Sequence, residues 1–398
     1  MKQVQIAIIG GGYGGLRALD RLAKDESFYI TLIDQNPYHY MQAEVYEFIA
    51  NKVDMSAMMI DLPSFCESYK NVHFHCEKVL DIDTDESYVN TASSSIKYDY
   101  LIIATGSRTY FPDFIKGLRE YSHGIKTLPM ALHFKQQFEK ALYNRIESQK
   151  MGCEVEPFNI VIGGAGLSGV EIAAEMAAYA NSFYQNGNFG CRGIDIYLID
   201  AYESILYGLD PYLIEKSHKR LEKLGVHIWH NNRIKEVLPN KIILDDDREL
   251  EFEFMIFTGG ICASSLTKKL PFELNAKSHI LIEADLSIKN HPHIFAIGDV
   301  AYIADKNSRP YPPTAQLAER SGEHAAAMIK ADIAKTARFN FSFKNDGILI
   351  ALGGEYGAGV LYNSLKISGY ISYKIKKFIF DIYKKPLRSR SKIGKSRA

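Results

Sequence analysis

Two stretches of the chain carry glycines at a spacing that lets the backbone hold a phosphate. They are Gly10, Gly12 and Gly15 in the first stretch, and Gly164, Gly166 and Gly169 in the second. In a G-x-G-x-x-G turn the first glycine permits a tight turn and the second lets the backbone approach a pyrophosphate. The third lets the following helix pack closely on the strand, and the helix N-terminus adds a partial positive charge. Both stretches therefore predict a pyrophosphate-binding turn.

The first turn is framed by the elements of a dinucleotide-binding unit. Val4–Ile9 is an apolar run rich in β-branched residues, which predicts a buried parallel strand, and a helix is expected over 16–24. The next strand, 29–35, carries Asp34 nineteen residues after Gly15, where a ribose-binding carboxylate is expected. The alternative is a glycine-rich turn that serves only packing.

The second turn lies between the same kinds of elements as the first, but its third glycine and the acid of the next strand are farther apart in the sequence. It follows an apolar strand at 158–162, and the next strand, 194–200, ends in Asp200, 31 residues after Gly169. We expect a surface excursion at 184–193 to account for the extra length. A carboxylate at this strand end accepts hydrogen bonds from a ribose 2′-hydroxyl and repels a 2′-phosphate, which favours NADH over NADPH.

Three further strands end in small residues, which let a ligand approach closely. These ends are Ala104, Thr105 and Gly106 within 98–107, Gly298 and Asp299 within 291–301, and Thr258, Gly259 and Gly260 after 254–257. Together with the two turns, the pattern resembles the two-dinucleotide-binding-domain flavoproteins, the family of glutathione reductase. The resemblance covers residues 4 to about 330.

This resemblance implies a cofactor for each turn. The first turn would bind FAD, with backbone near Val79, in the strand expected at 74–83, close to the adenine. Asp299 would hydrogen-bond the flavin ribitol. The second turn would bind NADH, with Gly259 and Gly260 crossing back towards the flavin. The implied chemistry is hydride transfer from nicotinamide to flavin; the alternative is a second turn that has lost its ligand.

The resemblance also implies an α/β fold with two Rossmann-like domains, one inserted into the other, plus a small C-terminal region at a membrane interface. The expected segments are the first part of the FAD-binding domain at 1–112, the NADH-binding domain at 113–257, the second part of the FAD-binding domain at 258–338, and the C-terminal region at 339–398.

The cysteines argue against a sulfur relay. They are Cys66, Cys76, Cys153, Cys191 and Cys262, without a CxxC pair, and the stretch 38–50 after the first unit has none. A disulfide reductase is therefore disfavoured, and a sulfide:quinone reductase is disfavoured because no cysteine follows Cys262. We expect five buried thiols that act as small hydrophobes, and no metal or iron–sulfur site.

The segment 310–329 resembles the type II NADH:quinone oxidoreductases, whose AQxAxQQ helix start lies beside the flavin and the quinone headgroup. Ala315, Gln316 and Ala318 match, whereas Arg320 and Ser321 stand where the family has two glutamines. The resemblance implies that Ala315 and Gln316 contact FAD and that Gln316 serves catalysis. The alternative for Gln316 is a bond to its own helix backbone.

Two acids follow the second glycine turn at a spacing that puts them on one helix face, Glu171 and Glu175. Glu171 resembles an acid common across the flavoprotein superfamily and is expected near NADH. Glu175 corresponds to the acid that faces nicotinamide and flavin in type II dehydrogenases, which gives it a catalytic role. The alternative for Glu175 is a solvated or lysine-paired acid.

The C-terminal end predicts a helix that lies on a membrane. The 47 basic and 47 acidic residues of the chain cancel, but 363–398 holds eleven Lys or Arg against one acid, about +10. Within 369–392 an apolar stripe recurs at helical spacing, flanked by Tyr370, Phe378 and Tyr383, and four lysines are expected away from it. The stripe is Ile371, Ile375, Ile379 and Ile382, and the lysines are Lys374, Lys377, Lys384 and Lys385. An anionic membrane surface is the expected partner of 363–398; the alternative is a helix packed on the protein body or on a second copy.

We therefore expect a non-proton-pumping NADH dehydrogenase that reduces a membrane quinone at the cytoplasmic face of the cell membrane. A soluble NADH-dependent reductase of a protein such as ferredoxin, a sulfide:quinone reductase-like enzyme and a flavin-containing sensor remain alternatives. Nucleic acid is not an expected partner, and a homodimer is left open.

Overall fold

The computed structural model describes residues 3–151, 158–187, 193–362 and 364–391. Its largest sheet has six strands, in the order Ser287–Ile288, His291–Ala296, Tyr100–Ile103, Val4–Ile9, Phe28–Ile33 and Val72–His75. All neighbours are parallel except the first pair. The apolar run of Val4–Ile9 lies near the middle of this sheet, where its last four residues are buried.

A second sheet contains only parallel strands, in the order His227–Trp229, Ile194–Ile199, Phe158–Gly163 and Phe254–Phe257. Smaller antiparallel sheets are Asp81–Asp83 with Tyr88–Asn90 and Ser95–Lys97; Ile234–Val237 with Lys241–Leu244 and Glu249–Glu251; Gly347–Ala351 with Gly357–Leu361 and Leu365–Gly369; Ser107–Thr109 with Ile261–Ala263; and Tyr38–Tyr40 with Met59–Asp61.

The α-helices are Tyr13–Leu22, Val45–Ile49, Leu62–Cys66, Leu118–Tyr121, Leu128–Lys150, Leu167–Gly187, Pro211–Lys223, Ala315–Ile333 and Tyr370–Arg390. Short 3-10 turns occur at Gln42–Glu44, Met55–Met58, Ser265–Lys269 and Gly298–Val300. Across the described parts of the chain, no helix is both long and apolar enough to cross a membrane.

The predicted α/β fold class is confirmed, since two parallel neighbours in each of the two larger sheets are joined by a glycine turn and a helix. One strand prediction is wrong: 74–83 is not one strand, because Val72–His75 ends the large sheet and Asp81–Asp83 belongs to a small one. Val79 lies buried between them. Helix Leu167–Gly187 runs into the stretch predicted as a surface excursion, and residues 188–192 lie outside the described residues.

The prediction that all cysteines are buried is wrong for one residue. Cys66 and Cys262 are buried, but Cys76 is exposed because it follows the last residue of the edge strand Val72–His75. Cys153 and Cys191 lie outside the described residues.

Helix Ala315–Ile333 packs closely on the first dinucleotide-unit helix, Tyr13–Leu22. A Cβ at Gly322 would lie 2.3 Å from the carbonyl oxygen of Gly14, so only glycine allows this approach. An ion pair of 2.5 Å between Arg21 and Glu323 also joins the helices. This contact holds the start of Ala315–Ile333 beside the first glycine turn.

Candidate active site

The two glycine turns have the same backbone geometry. Gly10 has φ of +104° and Gly164 has φ of +106°, a region that disfavours residues with a Cβ. A Cβ at Gly15 would lie 1.9 Å from the carbonyl oxygen of Gly10, and a Cβ at Gly169 would lie 1.9 Å from that of Gly164. The first and third glycines are therefore required by packing inside each turn.

The middle glycines differ from their neighbours because they face open space. A Cβ built at Gly12 or at Gly166 would meet no atom within 4 Å. Helices Tyr13–Leu22 and Leu167–Gly187 each begin at the residue directly after these glycines. Each turn thus offers free backbone and a helix N-terminus at one place, which fits a pyrophosphate.

The acid at each strand end accepts a hydrogen bond from the backbone of the adjacent glycine turn. Asp34 accepts the N–H of Gly11 at 2.7 Å, and burial raises the pKa of the Asp34 carboxyl. Asp200 accepts the N–H of Ala165 in the second turn, and the N–H of Tyr202 at 2.9 Å. The two carboxylates lie at equivalent positions beside the open glycines, and their ribose-binding role stays a prediction.

The small-residue strand ends lie against the turns. A Cβ at Gly10 would be 2.3 Å from the carbonyl oxygen of Ala104, and a Cβ at Gly164 would be 2.7 Å from the nitrogen of Gly259. The hydroxyl of Thr105 is buried and has no hydrogen-bond partner among the described residues. A buried hydroxyl in that position fits a ligand that supplies the missing partner. Gly106 and Gly260 continue these two strand ends.

Asp299 lies in a polar cluster that the sequence did not reveal. The hydroxyl of Ser107 donates to its carboxylate at 2.8 Å, and the ammonium of Lys126 lies 3.1 Å from that hydroxyl and 3.8 Å from the carboxylate. Burial lowers the pKa of Lys126. Ser107 could have been suspected because it follows Gly106 directly. Lys126 lies in the connection between helices Leu118–Tyr121 and Leu128–Lys150, and no motif in the sequence marks it.

The helix that begins at Ala315 is capped by Thr314, whose hydroxyl accepts a backbone N–H at 3.1 Å. The side-chain amide of Gln316 donates to Asp346 at 2.5 Å, and Arg320 lies 3.5 Å from the same carboxylate. Gln316 therefore contacts a side chain of the C-terminal region rather than its own helix backbone. Its predicted role at the flavin stays a prediction.

Ser321, where the type II family has glutamine, is fully buried and supports the predicted ribitol-binding turn. Its hydroxyl accepts the N–H of Gly298 at 3.0 Å and donates to the carbonyl of Ala318 at 2.9 Å. A larger side chain would not fit this space without moving one of the two elements.

Replacing this hydroxyl tests its structural role. Ser321→Ala is expected to lower the free energy of unfolding by about 1–2 kcal/mol, because the buried N–H of Gly298 loses its acceptor. Urea unfolding of the FAD-loaded protein measures the effect, with the exposed Ser308→Ala as control. Equal stability of both variants would contradict the role assigned to this hydrogen bond.

Glu175 lies almost fully buried on helix Leu167–Gly187. Its carboxylate is 3.1 Å from the ammonium of Lys52 and accepts the N–H of Gly354 at 3.3 Å. Burial raises the pKa of the Glu175 carboxyl. The structure thus shows the lysine-paired arrangement, and the catalytic role of Glu175 stays a prediction.

Glu171, one turn earlier, is bound inside the protein. Its carboxylate accepts the N–H of Ala351 at 3.0 Å and forms an ion pair with Lys376 of the C-terminal helix, Tyr370–Arg390. Both side chains are nearly buried. The predicted contact of Glu171 with NADH therefore stays a prediction, while its link to the C-terminal helix is an observed feature.

The Glu171–Lys376 pair makes a testable contribution to stability. Lys376→Met is expected to cost about 3 kcal/mol of unfolding free energy, since it leaves a buried carboxylate without its cation. The double variant Glu171→Gln, Lys376→Met should recover most of that loss. Urea unfolding checks both, with Lys374→Met, an exposed lysine of the same helix, as control. A single variant as stable as the double variant would contradict the argument.

The C-terminal helix is predicted correctly, and two of its lysines have buried partners that the sequence did not show. Lys377 reaches inward to Glu47 at 2.6 Å, and Lys384 reaches Glu44 at 2.8 Å. Both lysines lie away from the isoleucine stripe, as predicted, but they face the protein body and are not available to an anionic membrane surface. They turn inward because Glu44 and Glu47 are buried acids that require cations.

The opposite side of this helix is apolar and exposed. We call it the outer face, and it consists of Tyr370, Ile371, Phe378, Ile379 and Ile382, which are 48–65% exposed. Ile375, predicted in the same stripe, is partly covered. The helix therefore packs on the protein body through ion pairs and through Leu387 and Tyr383, while the outer face stays exposed. Tyr383, predicted to flank the isoleucine stripe, lies on the inner side.

Comparison with known proteins identifies the family. The family model described as pyridine nucleotide-disulphide oxidoreductase matches residues 4–322. The chain belongs to this family. The Type II NADH:quinone oxidoreductase of Staphylococcus haemolyticus is 27% identical over 384 residues, which cover 94% of each chain. The predicted resemblance to that group is confirmed by this relative.

Solved structures show the same fold. NDH2 from Plasmodium falciparum in complex with NADH matches with a TM-score of 0.84 and 18% identity over 96% of this chain and 95% of that one. The sulfide:quinone oxidoreductase of Aquifex aeolicus matches with a TM-score of 0.81 and 19% identity, over 99% and 93% of the two chains. The disulphide in the family name has no counterpart among the described cysteines of this member, which are free thiols.

Proposed function

We propose that this protein is a type II NADH:quinone oxidoreductase, which oxidises NADH and reduces a membrane quinone without pumping protons. The observation that carries the proposal is the pair of glycine turns, built alike and each open at its middle glycine. One turn accounts for a resident dinucleotide and the other for a dinucleotide that exchanges. The names of the curated relatives support the same activity.

The residues present fit both groups. Those proposed to hold FAD are Gly10, Gly12, Gly15, Asp34, Val79, Ala104, Thr105, Gly106, Gly298, Asp299, Ala315 and Gln316. Those proposed to hold NADH are Gly164, Gly166, Gly169, Glu171, Asp200, Gly259 and Gly260. When bound, FAD supplies the redox chemistry, taking up a hydride and giving two electrons to the quinone.

Side chains of the protein would orient the bound cofactors and provide a group that can exchange a proton. Lys126 and Ser107 hold Asp299 in one orientation, so the carboxylate is fixed for a ribitol hydroxyl. Glu175 stays in a buried pocket with a raised pKa, which suits a group that exchanges a proton. Gln316 lies at a helix start that packs beside the first turn and is held by Asp346.

The position of the C-terminal helix supports a membrane acceptor. The hydroxyl of Tyr383 lies 3.1 Å from a ring nitrogen of His39, whose ring centroid is 4.8 Å from that of Tyr13. Tyr13 follows the open Gly12 of the first turn. The ring of Tyr383 also contacts that of Tyr13 directly, with centroids 5.0 Å apart. The helix that carries the outer face therefore packs on the residue next to the proposed FAD phosphate site, which supports an acceptor that approaches from this side.

The membrane contact is part of this proposal. The outer face would lie in the lipid interface, and exposed Lys374 and Lys385 beside it would meet anionic headgroups. A position on the cytoplasmic face, where NADH is available, follows from the substrate.

The test is an anaerobic flavin titration. The yellow holoprotein is mixed with NADH, the oxidised flavin band is followed, and a soluble quinone analogue is then added. Bleaching by NADH followed by rapid return of the band with quinone supports the proposal. Bleaching that quinone does not reverse would point to a protein acceptor, and no bleaching would overturn the proposal.

A further inference from the structure

The loop 200–209, which follows strand Ile194–Ile199, is tied to the second glycine turn at both of its ends. Ala165 of the turn donates its N–H to Asp200 and accepts the N–H of Leu206 at 2.8 Å. The side chains of Ile205 and Leu206 are buried in the core. The loop is therefore held in a fixed position relative to the turn.

Two tyrosines of this loop are presented outward as a stacked pair. Tyr202 is 58% exposed and Tyr207 is 56% exposed. Their ring centroids are 4.7 Å apart and the ring planes differ by 6°. The backbone of Tyr202 is fixed as well, because its N–H donates to Asp200 and its carbonyl accepts the N–H of Asn231 at 2.9 Å.

We propose that this tyrosine pair is a stacking platform for the adenine of NADH. The inference rests on the proposed function, since it takes the second turn as the NADH site. Asp200, placed for the adenosine ribose, is two residues from Tyr202 and bonded to its backbone. A base attached to that ribose would extend towards the loop that presents the two rings, and aromatic faces bind nucleobases by stacking.

The ring spacing decides how the base is bound. A base inserted between two rings needs a contact of about 3.5 Å on each side, which a centroid separation of 4.7 Å does not provide. The adenine therefore stacks on the free outer side of one ring and extends the pair to three layers. Because stacking uses the face of the base and not its edge, hypoxanthine in place of adenine is accepted equally well.

The experiment compares two hydride donors with the holoenzyme, NADH and reduced nicotinamide mononucleotide, which has no adenosine. Because the adenine lies on one ring of the pair, alanine at that ring (Tyr202→Ala or Tyr207→Ala) is expected to raise the KM for NADH about 10-fold without lowering kcat, and alanine at the other ring to raise it less. The kinetic constants for the mononucleotide should stay unchanged. Tyr202→Phe and Tyr207→Phe should keep the wild-type KM, since a phenyl ring stacks as a phenol ring does.

The control variant is Tyr143→Ala, an equally exposed tyrosine on helix Leu128–Lys150. An unchanged KM for NADH in both alanine variants overturns the inference. Equal losses with NADH and the mononucleotide also overturn it, because the tyrosines would then support the turn and not the base. If wild-type flavin is bleached by neither donor, the proposed function has failed and the inference fails with it.

Discussion

A Gly166→Val protein is expected to fold, to keep its FAD and to lose at least 100-fold in kcat/KM for NADH. A Cβ at Gly166 meets no protein atom within 4 Å, so the side chain costs the fold little. It occupies the space in which a pyrophosphate must approach the backbone. The flavin spectrum of the purified protein and the anaerobic rate of its bleaching by NADH measure the two properties separately.

The first turn offers the matched control. Gly12→Val should give the converse result, a folded protein that is purified without flavin, because the open position there belongs to the proposed FAD site. Gly164→Val should disrupt the second turn and the parallel sheet that contains Phe158–Gly163, since its Cβ would meet the nitrogen of Gly259 at 2.7 Å and its φ is +106°. Bleaching of the Gly166→Val protein at the wild-type rate would show that the second turn does not hold NADH.

The sequence predicts the turns well because their requirements are local. Gly10 and Gly164 need a positive φ, Gly15 and Gly169 need the absence of a Cβ, and these constraints act within six positions of one another. The apolar strands on either side follow from their composition, and most of their ends were predicted within two residues.

The supporting contacts of the site could not be predicted because they join distant segments. Ser107 and Asp299 are 192 positions apart, and Lys384 and Glu44 are 340 apart. No periodicity links such pairs. Ser321 shows the same difficulty at closer range, because its departure from the family pattern was visible while its partner, Gly298, was not.

The spacing of apolar residues in the C-terminal helix predicts the helix but not which of its sides faces the protein body. The spacing of its isoleucines predicted an amphipathic helix, and the structure contains one. The sequence did not show that buried acids elsewhere, Glu44 and Glu47, would draw two of its lysines inward. Which side of a helix faces the body depends on the charges of the surface that receives it, and that surface is assembled from other segments.

Acidic substitutions in the outer face should lower the reduction of membrane quinone while leaving NADH oxidation unchanged. In the triple variant Ile371→Glu, Phe378→Glu, Ile382→Glu, each position is more than half exposed, so folding and flavin content should not change. Each substitution removes about 1 kcal/mol or more of interfacial apolar contact. Three together amount to about 3–4 kcal/mol, or about 100-fold or more in membrane partitioning.

Vesicle sedimentation and two quinone assays measure this outcome. Binding to vesicles and activity with a long-chain quinone should fall together, while activity with a short-chain, water-soluble quinone should stay at the wild-type level. The matched control is Phe114→Glu, Met130→Glu, Tyr143→Glu, which adds the same charge at exposed apolar residues elsewhere.

The loss of vesicle binding by the outer-face variant should be similar on zwitterionic and anionic vesicles if apolar contact dominates, and larger on anionic vesicles if charge repulsion dominates. A triple variant that binds vesicles as the wild type does would show that the outer face is not the membrane contact, and would favour a protein partner on that side of the helix.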